Sequence, residues 1–201
     1  TNTGTFSIES GKLTLNSKEK NFIRGIYNVA ADNELVLATQ INVSKTLTGL
    51  LNGAMNWTDN VAIASTATFN FTGSKGLVWS SGSLIGGGNL TNSSKISIES
   101  GASKYISGAT TLTNTSTITF PFACYLYLYD TSKFENNATG IIDFKSESII
   151  TYSGALAHNL NNAGLIKKSA GEGNTQIQSF LSNNGTITVE SGILTFNGKP
   201  K

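Results

Sequence analysis

Several residue types that support catalysis or metal binding are scarce in this chain of 201 residues. It has one cysteine, Cys124, one histidine, His158, and one arginine, Arg24. A single cysteine excludes an intrachain disulfide and a Cys-x-x-Cys metal site, and one histidine without a nearby cysteine does not make a zinc site. We therefore expect no metal and no cofactor, and we interpret His158 as a turn or surface residue.

Charge is also scarce, since charged residues make up 13% of the chain and the net charge is +2. This balance gives no indication of nucleic-acid binding. A lone arginine further weakens a phosphate-binding interpretation, because arginine is the usual bidentate phosphate ligand. No apolar run reaches the roughly 18 residues of a membrane span. We expect no nucleic-acid partner and no membrane insertion.

The chain is rich instead in small polar residues, with 22 Asn, 24 Ser and 25 Thr. Short β-branched and amide side chains favour strands and tight turns over helices. Apolar residues alternate with polar ones in short segments, for example at Ile96/Ile98 and Ile118/Phe120. This period of two indicates strands with one buried face, so we predict an all-β fold.

Short segments recur with a step of roughly 22 residues. Residues 90–98, 112–120 and 181–189 resemble one another. The asparagines that mark the repeat are separated by 22, 22, 26 and 21 residues, and they are Asn92, Asn114, Asn136, Asn162 and Asn183. Such a step is too short for a helix pair or a propeller blade and fits one coil of a parallel β-helix. We predict a right-handed parallel β-helix (β-solenoid) of about nine coils of roughly 22 residues.

These asparagines have two interpretations. Inward-facing amides would form a ladder, in which each amide bonds to the coil above and below. Alternatively, some are glycan acceptors, because the chain contains eight Asn-x-Ser/Thr sequons, but this number is little more than its composition predicts. We favour a structural ladder of Asn92, Asn114, Asn136, Asn162 and Asn183.

A longer repeat links the two ends of the chain. Residues 4–16 and 185–197 are identical at eight of 13 positions, so the end of the chain restarts its beginning. We expect a single β-solenoid domain, residues 1–201, that is a fragment of a longer tandem-repeat protein. Neighbouring modules of that protein would be its immediate contacts.

One glycine-rich segment carries a resemblance to a known family. Residues 82–92, GSLIGGGNLTN, resemble the SGxLxGxGxLTN element of tandem β-solenoid repeats in very large bacterial surface and secreted proteins, and residues 164–175 and 183–192 resemble other elements of that family. The resemblance implies a non-catalytic structural or adhesive module, a rigid spacer of a bacterial adhesin. It also implies an extracellular or cell-surface location, with glycans or surface proteins as partners.

The alternative is a carbohydrate-binding or carbohydrate-processing β-helix, since parallel β-helices also include pectin-cleaving enzymes. Their active sites cluster carboxylates on one face. Here there are four aspartates, and Asp59 and Asp130 lie more than three coils apart along the chain. We therefore assign no catalytic residue and expect that the protein is not an enzyme.

The strictest alternation lies in residues 124–130, CYLYLYD. If its cysteine and leucines point inward, its three tyrosines point outward. An exposed row of tyrosines can stack on sugar rings or pack against a partner, unless a neighbouring loop covers it. The candidate ligand contacts, with the last two as a polar edge, are Tyr125, Tyr127, Tyr129, Asp130 and Lys133.

Overall fold

The computed structural model describes residues 4–17, 21–99, 101–153 and 159–198. Within these ranges the chain forms 25 short β-strands and no helix, and the ladders between the strands are parallel. Each turn of the chain adds one strand to each of three faces, which we call faces A, B and C. The predicted parallel β-solenoid is therefore confirmed, and its right-handed sense stays a prediction.

Face A contains nine strands. They are β1 (Thr5–Ile8), the second half of β3 (Asn21–Val29), the second half of β5 (Ile41–Leu50), β8 (Thr68–Thr72), β11 (Asn89–Asn92), β14 (Thr111–Asn114), β17 (Lys133–Asn136), β20 (Asn159–Asn162) and β23 (Phe180–Asn183). Each of these strands pairs in register with the strand one coil later, and the longest step joins Glu135 to Asn161. The chain thus makes about eight turns from β1 to β23, and we number coils 1 to 9 by their strand on face A.

Face B is a separate nine-stranded sheet. Its strands are β2 (Lys12–Leu15), β4 (Glu34–Leu37), β6 (Ala54–Trp57), β9 (Gly76–Trp79), β12 (Lys95–Ile98), β15 (Thr117–Phe120), β18 (Ile141–Phe144), β21 (Leu165–Lys168) and β24 (Thr186–Val189). The second and fourth residues of each strand point inward, as Ile118 and Phe120 do in β15. This is the side-chain period that a half-buried strand requires.

Face C joins face A in one 16-stranded sheet, because β3 and β5 continue around the corner between the two faces. Its other strands are β7 (Val61–Ile63), β10 (Ser83–Ile85), β13 (Lys104–Ile106), β16 (Tyr125–Tyr129), β19 (Ile149–Ser153), β22 (Asn174–Ile177) and β25 (Ile193–Phe196). At the corner, Ile23 pairs with Val43 and Gly25 pairs with Leu47, so the register shifts through a β-bulge. Arg24 lies in this bulge.

The core is one narrow apolar column enclosed by the three faces. Residues that pair in register stack directly on one another along the axis. Trp57 and Trp79 lie with ring centroids 4.5 Å apart, and Phe120 and Phe144 lie 4.7 Å apart. Such aromatic pairs, tilted for the two tryptophans and stacked for the two phenylalanines, stabilise a core beyond the area they bury.

The two copies of the long repeat lie on different faces. Residues 4–16 contain β1 on face A and β2 on face B, whereas residues 185–197 contain β24 on face B and β25 on face C. Eight turns carry Thr5 to Ser182 in β23. The counterpart of Thr5 in the second copy is Thr186, which lies beyond the end of β23 at the start of β24. The second copy therefore begins one face later.

Candidate functional site

A cluster of four tyrosines lies on the outer surface of face C. The structure buries Leu126 and Leu128 of β16 completely and turns Tyr125, Tyr127 and Tyr129 outward. Tyr105, from β13 of the preceding coil, pairs in register with Tyr127 and completes the cluster. We call Tyr105, Tyr125, Tyr127 and Tyr129 the tyrosine cluster.

The rings of the tyrosine cluster pack against one another. The Tyr105 and Tyr127 rings are stacked with centroids 5.2 Å apart, and those of Tyr125 and Tyr127 are stacked at 5.9 Å. Stacked rings cover each other's faces, so the cluster presents mainly ring edges and hydroxyl groups. Tyr125, at one end of the row, is 47% exposed and keeps the most accessible ring.

Asp130 and Lys133 lie beyond the end of β16. Asp130 has a left-handed backbone conformation, with φ 55°, and its Oδ2 accepts a hydrogen bond of 3.4 Å from the backbone N–H of Gly108. Aspartate tolerates this conformation better than most residues. Lys133 begins β17 on face A and is exposed. Asp130 therefore directly follows Tyr129 at the corner between faces C and A, whereas Lys133 lies on face A.

Tyr105 was not among the residues predicted from the sequence. The signal that identifies it is the coil length, because Tyr105 precedes Tyr127 by one coil and pairs with it in register. The alternation that predicted the other tyrosines lies within β16. Strand β13 contains only one tyrosine, so it shows no such pattern.

The five asparagines of the predicted ladder lie in successive coils on the inner side of face A. Each Nδ2 donates to the Oδ1 of the next asparagine, at 2.8, 2.7, 2.6 and 2.6 Å, in the order Asn92, Asn114, Asn136, Asn162 and Asn183. The first four are buried, and Asn183 in the last coil is exposed. The amide row remains continuous across the longest coil, because the face A strands of that coil still pair in register.

Each amide in this row also bonds to the backbone. The Nδ2 of Asn92 donates to the carbonyl of Thr117 at 3.1 Å, and the backbone N–H of Ser94 donates to the Oδ1 of Asn92 at 3.3 Å. Asn114 makes the same two kinds of bond, to Ile141 and from Ser116. A buried amide with all its partners is favourable, whereas one without them is costly.

A buried ammonium and a buried thiol lie beneath the tyrosine cluster. Lys104 is the first residue of β13, and Cys124 immediately precedes β16. The Nζ of Lys104 donates to the carbonyl oxygens of Glu99 and Ala102 at 2.7 and 2.8 Å. Burial lowers the pKa of Lys104, and the charges of Cys124 and Glu99 oppose that shift. The Sγ of Cys124 lies 3.9 Å from the Oγ of Ser148. Burial raises the pKa of Cys124, and the hydrogen bond with Ser148 opposes it.

A second buried lysine, in coil 8, occupies the interior position that a phenylalanine fills in the preceding coil. Lys168 pairs in register with Phe144, and its Nζ donates to the carbonyl of Ala170 at 2.9 Å and lies 3.9 Å from the Oε1 of Glu147. The same carboxylate accepts a hydrogen bond of 2.9 Å from the backbone N–H of Gly173. That bond is the main reason that the pKa of Glu147 is lowered.

A polar groove of about 310 Å³ lies where faces A and B meet in coils 7 to 9. Its lining residues are Glu135, Asn136, Asn137, Asn161, Asn162, Ala163, Ser182 and Asn184. The Nδ2 of Asn161 donates to both carboxylate oxygens of Glu135, at 2.9 and 3.0 Å. The groove offers amide and carboxylate groups to a polar ligand.

The one histidine of the chain, His158, lies outside the described residues. Across the described part of the chain, no group of three or more His, Cys, Asp or Glu residues could hold a metal ion. The same residues contain no helix with the length and hydropathy of a membrane span. Asp59 lies between faces B and C, and Asp130 lies between faces C and A, three coils later.

Comparisons of the chain with protein-family models, with curated protein sequences and with solved structures find no match. Its function is therefore inferred from the chemistry of its own surface.

Proposed function

We propose that the chain is a non-catalytic structural and adhesive module, a rigid spacer of a bacterial cell-surface or secreted adhesin. Its partners would be glycans or surface proteins, together with neighbouring tandem modules of the same chain. The observation that carries the proposal is the tyrosine cluster, which lies outward in the middle of a continuous parallel ladder. The location would be extracellular or at the cell surface, as the resemblance of residues 82–92 to bacterial surface repeats implies.

The parallel ladders support the role of spacer. Each inner strand bonds to the strand before it and the strand after it, so bending the solenoid would open hydrogen bonds along a whole face. Repeat folds of this kind are elongated, and each coil contacts only its neighbours. A rod of this construction holds a contact surface at a fixed distance from its anchor.

The tyrosine cluster supports the adhesive role. Tyrosine combines an apolar ring with a hydroxyl group, and it is enriched at contact surfaces that are partly wet. Since the rings cover each other's faces, we expect a partner to meet the hydroxyl edges and the accessible ring of Tyr125. Such a contact would be weak in one module, and many modules in tandem would raise the avidity.

The test is the double variant Tyr125→Ser/Tyr127→Ser, assayed on a glycan array and on surface-protein extracts. We expect loss of binding with the fold retained, because ring–ring contacts contribute only about 0.5–1.5 kcal/mol each. The matched control is Ile26→Ser/Leu50→Ser, which removes two exposed apolar side chains from face A. Unchanged binding by the tyrosine variant, or equal loss in the control, would contradict the proposal.

A carbohydrate-binding β-helix is the second candidate, and the polar groove around Glu135 and Asn161 favours it. Amides and carboxylates are suitable partners for sugar hydroxyl groups. Asn161→Ala removes the groove's central amide without touching the tyrosine cluster. Loss of glycan binding in Asn161→Ala, with normal binding in the tyrosine variant, would favour the groove.

A further inference from the structure

The corner between faces C and A in coils 1 and 2 holds two cationic side chains. Arg24, the one arginine of the chain, occupies the bulge in β3, and the facing corner of β5 has three residues between Val43 and Leu47 where β3 has one. This mismatch opens a cleft of about 430 Å³ that is lined by Arg24, Gly25, Lys45 and Thr46.

Among the described residues, neither cation in this cleft has a counter-charge. The Nε of Arg24 is buried and has no hydrogen-bond acceptor. Lys45 is exposed, and no carboxylate of a described residue lies within ion-pair distance of either side chain. A buried donor without an acceptor is unfavourable, and the neighbouring positive charge adds repulsion.

We propose that this cleft binds an oxyanion, that is, a carboxylate, sulfate or phosphate group. The planar guanidinium of Arg24 would hold two oxygens of the anion in a bidentate contact, and the Lys45 ammonium would add a point charge. Gly25 has φ 98°, and without a Cβ it lets the anion approach the bulged backbone. The hydroxyl group of Thr46 completes the polar lining. This site is separate from the tyrosine cluster and does not rest on the proposed adhesive function.

The direct test follows the Nε–H resonance of Arg24 by ¹H–¹⁵N NMR, which is unambiguous because the chain has one arginine. The probes are sodium sulfate, sodium phosphate, glucuronate and acetate, titrated at constant ionic strength. We expect a saturable shift of this resonance and of the backbone amides of Gly25 and Thr46. Tighter binding of glucuronate than of acetate would show that the site recognises acidic sugars. Equal binding would show that it recognises the anionic group alone. The absence of a saturable shift with every probe would overturn the proposal.

Charge-neutralising variants locate the site. Arg24→Gln is expected to weaken sulfate binding about 10-fold or more, as the loss of a charge-assisted bidentate contact implies, and Lys45→Gln is expected to weaken it less. The control is Lys95→Gln, which removes an exposed lysine of face B. If Lys95→Gln weakens binding as much as Lys45→Gln, attraction by net charge explains the result and the proposal fails.

A third variant keeps the test valid if Arg24→Gln does not fold. Lys45→Glu places a carboxylate beside Arg24 within the chain, so it should raise the melting temperature and abolish sulfate binding together. Lys95→Glu makes the same charge change on face B and should do neither. A Lys45→Glu protein that melts no higher and still binds sulfate would overturn the proposal.

Discussion

The two halves of the solenoid fill the same interior positions with different chemistry. In the described part of the chain, the buried polar and charged side chains all lie between Asn92 and Ser179. Before Asn92, the buried side chains that the structure describes are apolar or aromatic. The change is sharpest in one column of face A, where Phe71 in coil 4 pairs in register with Asn92 in coil 5.

This difference separates two ways of stabilising a coil. A phenylalanine contributes through the apolar area that it buries, and this contribution changes little if the coil shifts slightly along the strand. An asparagine contributes only when its amide meets the next amide, so it specifies one register. We infer that buried apolar area stabilises the first four coils. In the later coils, amide hydrogen bonds replace some of this area, which reduces the stability gained from burial but fixes one register.

The largest expected effect is in the apolar half. Phe71 is almost completely buried, and its ring meets that of Phe69 at 5.2 Å in an edge-to-face contact. Phe71→Ala should lower the free energy of unfolding by about 3–5 kcal/mol, through lost transfer energy and a cavity. Equilibrium denaturation with urea measures this change. Ile26→Ala, at an exposed position of face A, is the control and should change stability by less than about 0.5 kcal/mol.

At the equivalent position of the polar half, Asn114→Ala should lower the free energy of unfolding by about 1–3 kcal/mol, because it removes the Oδ1 that accepts from Asn92 and the Nδ2 that donates to Asn136. The control is Asn137→Ala, an exposed corner asparagine. Equal melting temperatures for Asn114→Ala and Asn137→Ala would remove the distinction between inward and surface asparagines.

Alkaline pH should affect the polar half selectively. The pKa of Cys124 is raised in the folded state. Above the ordinary thiol pKa of about 8.5, the unfolded chain therefore loses this proton more readily than the folded chain. The free energy of unfolding consequently falls as the pH rises. The pKa of Lys104 is lowered, so its contribution has the opposite sign, and stability rises with pH towards the ordinary lysine value. Cys124→Ala should therefore remove the alkaline loss, and Lys104→Met should steepen it.

Hydrogen exchange resolved by residue, between pH 8 and 9.5, measures this alkaline effect. The backbone amides of β13 and β16 should lose protection in the unmodified protein, whereas those of β6 and β9 should not, once intrinsic exchange rates are corrected. An equal loss of protection in both halves would show that the buried lysine and thiol are not its cause.

The smallest effect is expected at acid pH. The pKa of Glu147 is lowered, first by the hydrogen bond from Gly173, so its stabilising contribution is present above the ordinary glutamate value and is lost as the pH falls through the folded-state pKa. Glu147→Gln should reduce stability slightly at pH 7 and by a smaller amount at pH 3. The control in the apolar half is Glu34→Gln, which breaks the exposed pair with Lys12 at 2.8 Å. Thermal melts at both pH values compare the two variants, and a Glu147→Gln effect that does not decrease between pH 7 and pH 3 would contradict the assignment.

The repeat length and the strand alternation were sufficient to predict the parallel solenoid, because the short repeat step and the period of two leave few other folds. The positions of the five asparagines and of the three tyrosines in β16 could be proposed for the same reason. Tyr105 required the alignment of neighbouring coils. The stacking of the rings on one another depends on rotamers, which an alternation pattern does not determine.

The buried cations could not be predicted from local patterns. Lys168 falls at an inward position of β21, but a lysine in a strand is ordinarily a surface residue. It is buried because the carbonyl of Ala170 at the next corner accepts a hydrogen bond from its ammonium group. The cleft at Arg24 likewise depends on a bulge between two neighbouring coils, and neither coil reveals it alone.

The displacement of the long repeat by one face has an evolutionary consequence. Residues 6–11 (FSIESG) turn from face A to face B, while residues 187–192 (ITVESG) turn from face B to face C, so a strand with its following corner works equally well in either setting. The unit of duplication can then be a third of a turn. Duplication of the codons for one strand and its corner would lengthen the rod by a third of a turn and would move each later strand, with its surface residues, to the next face.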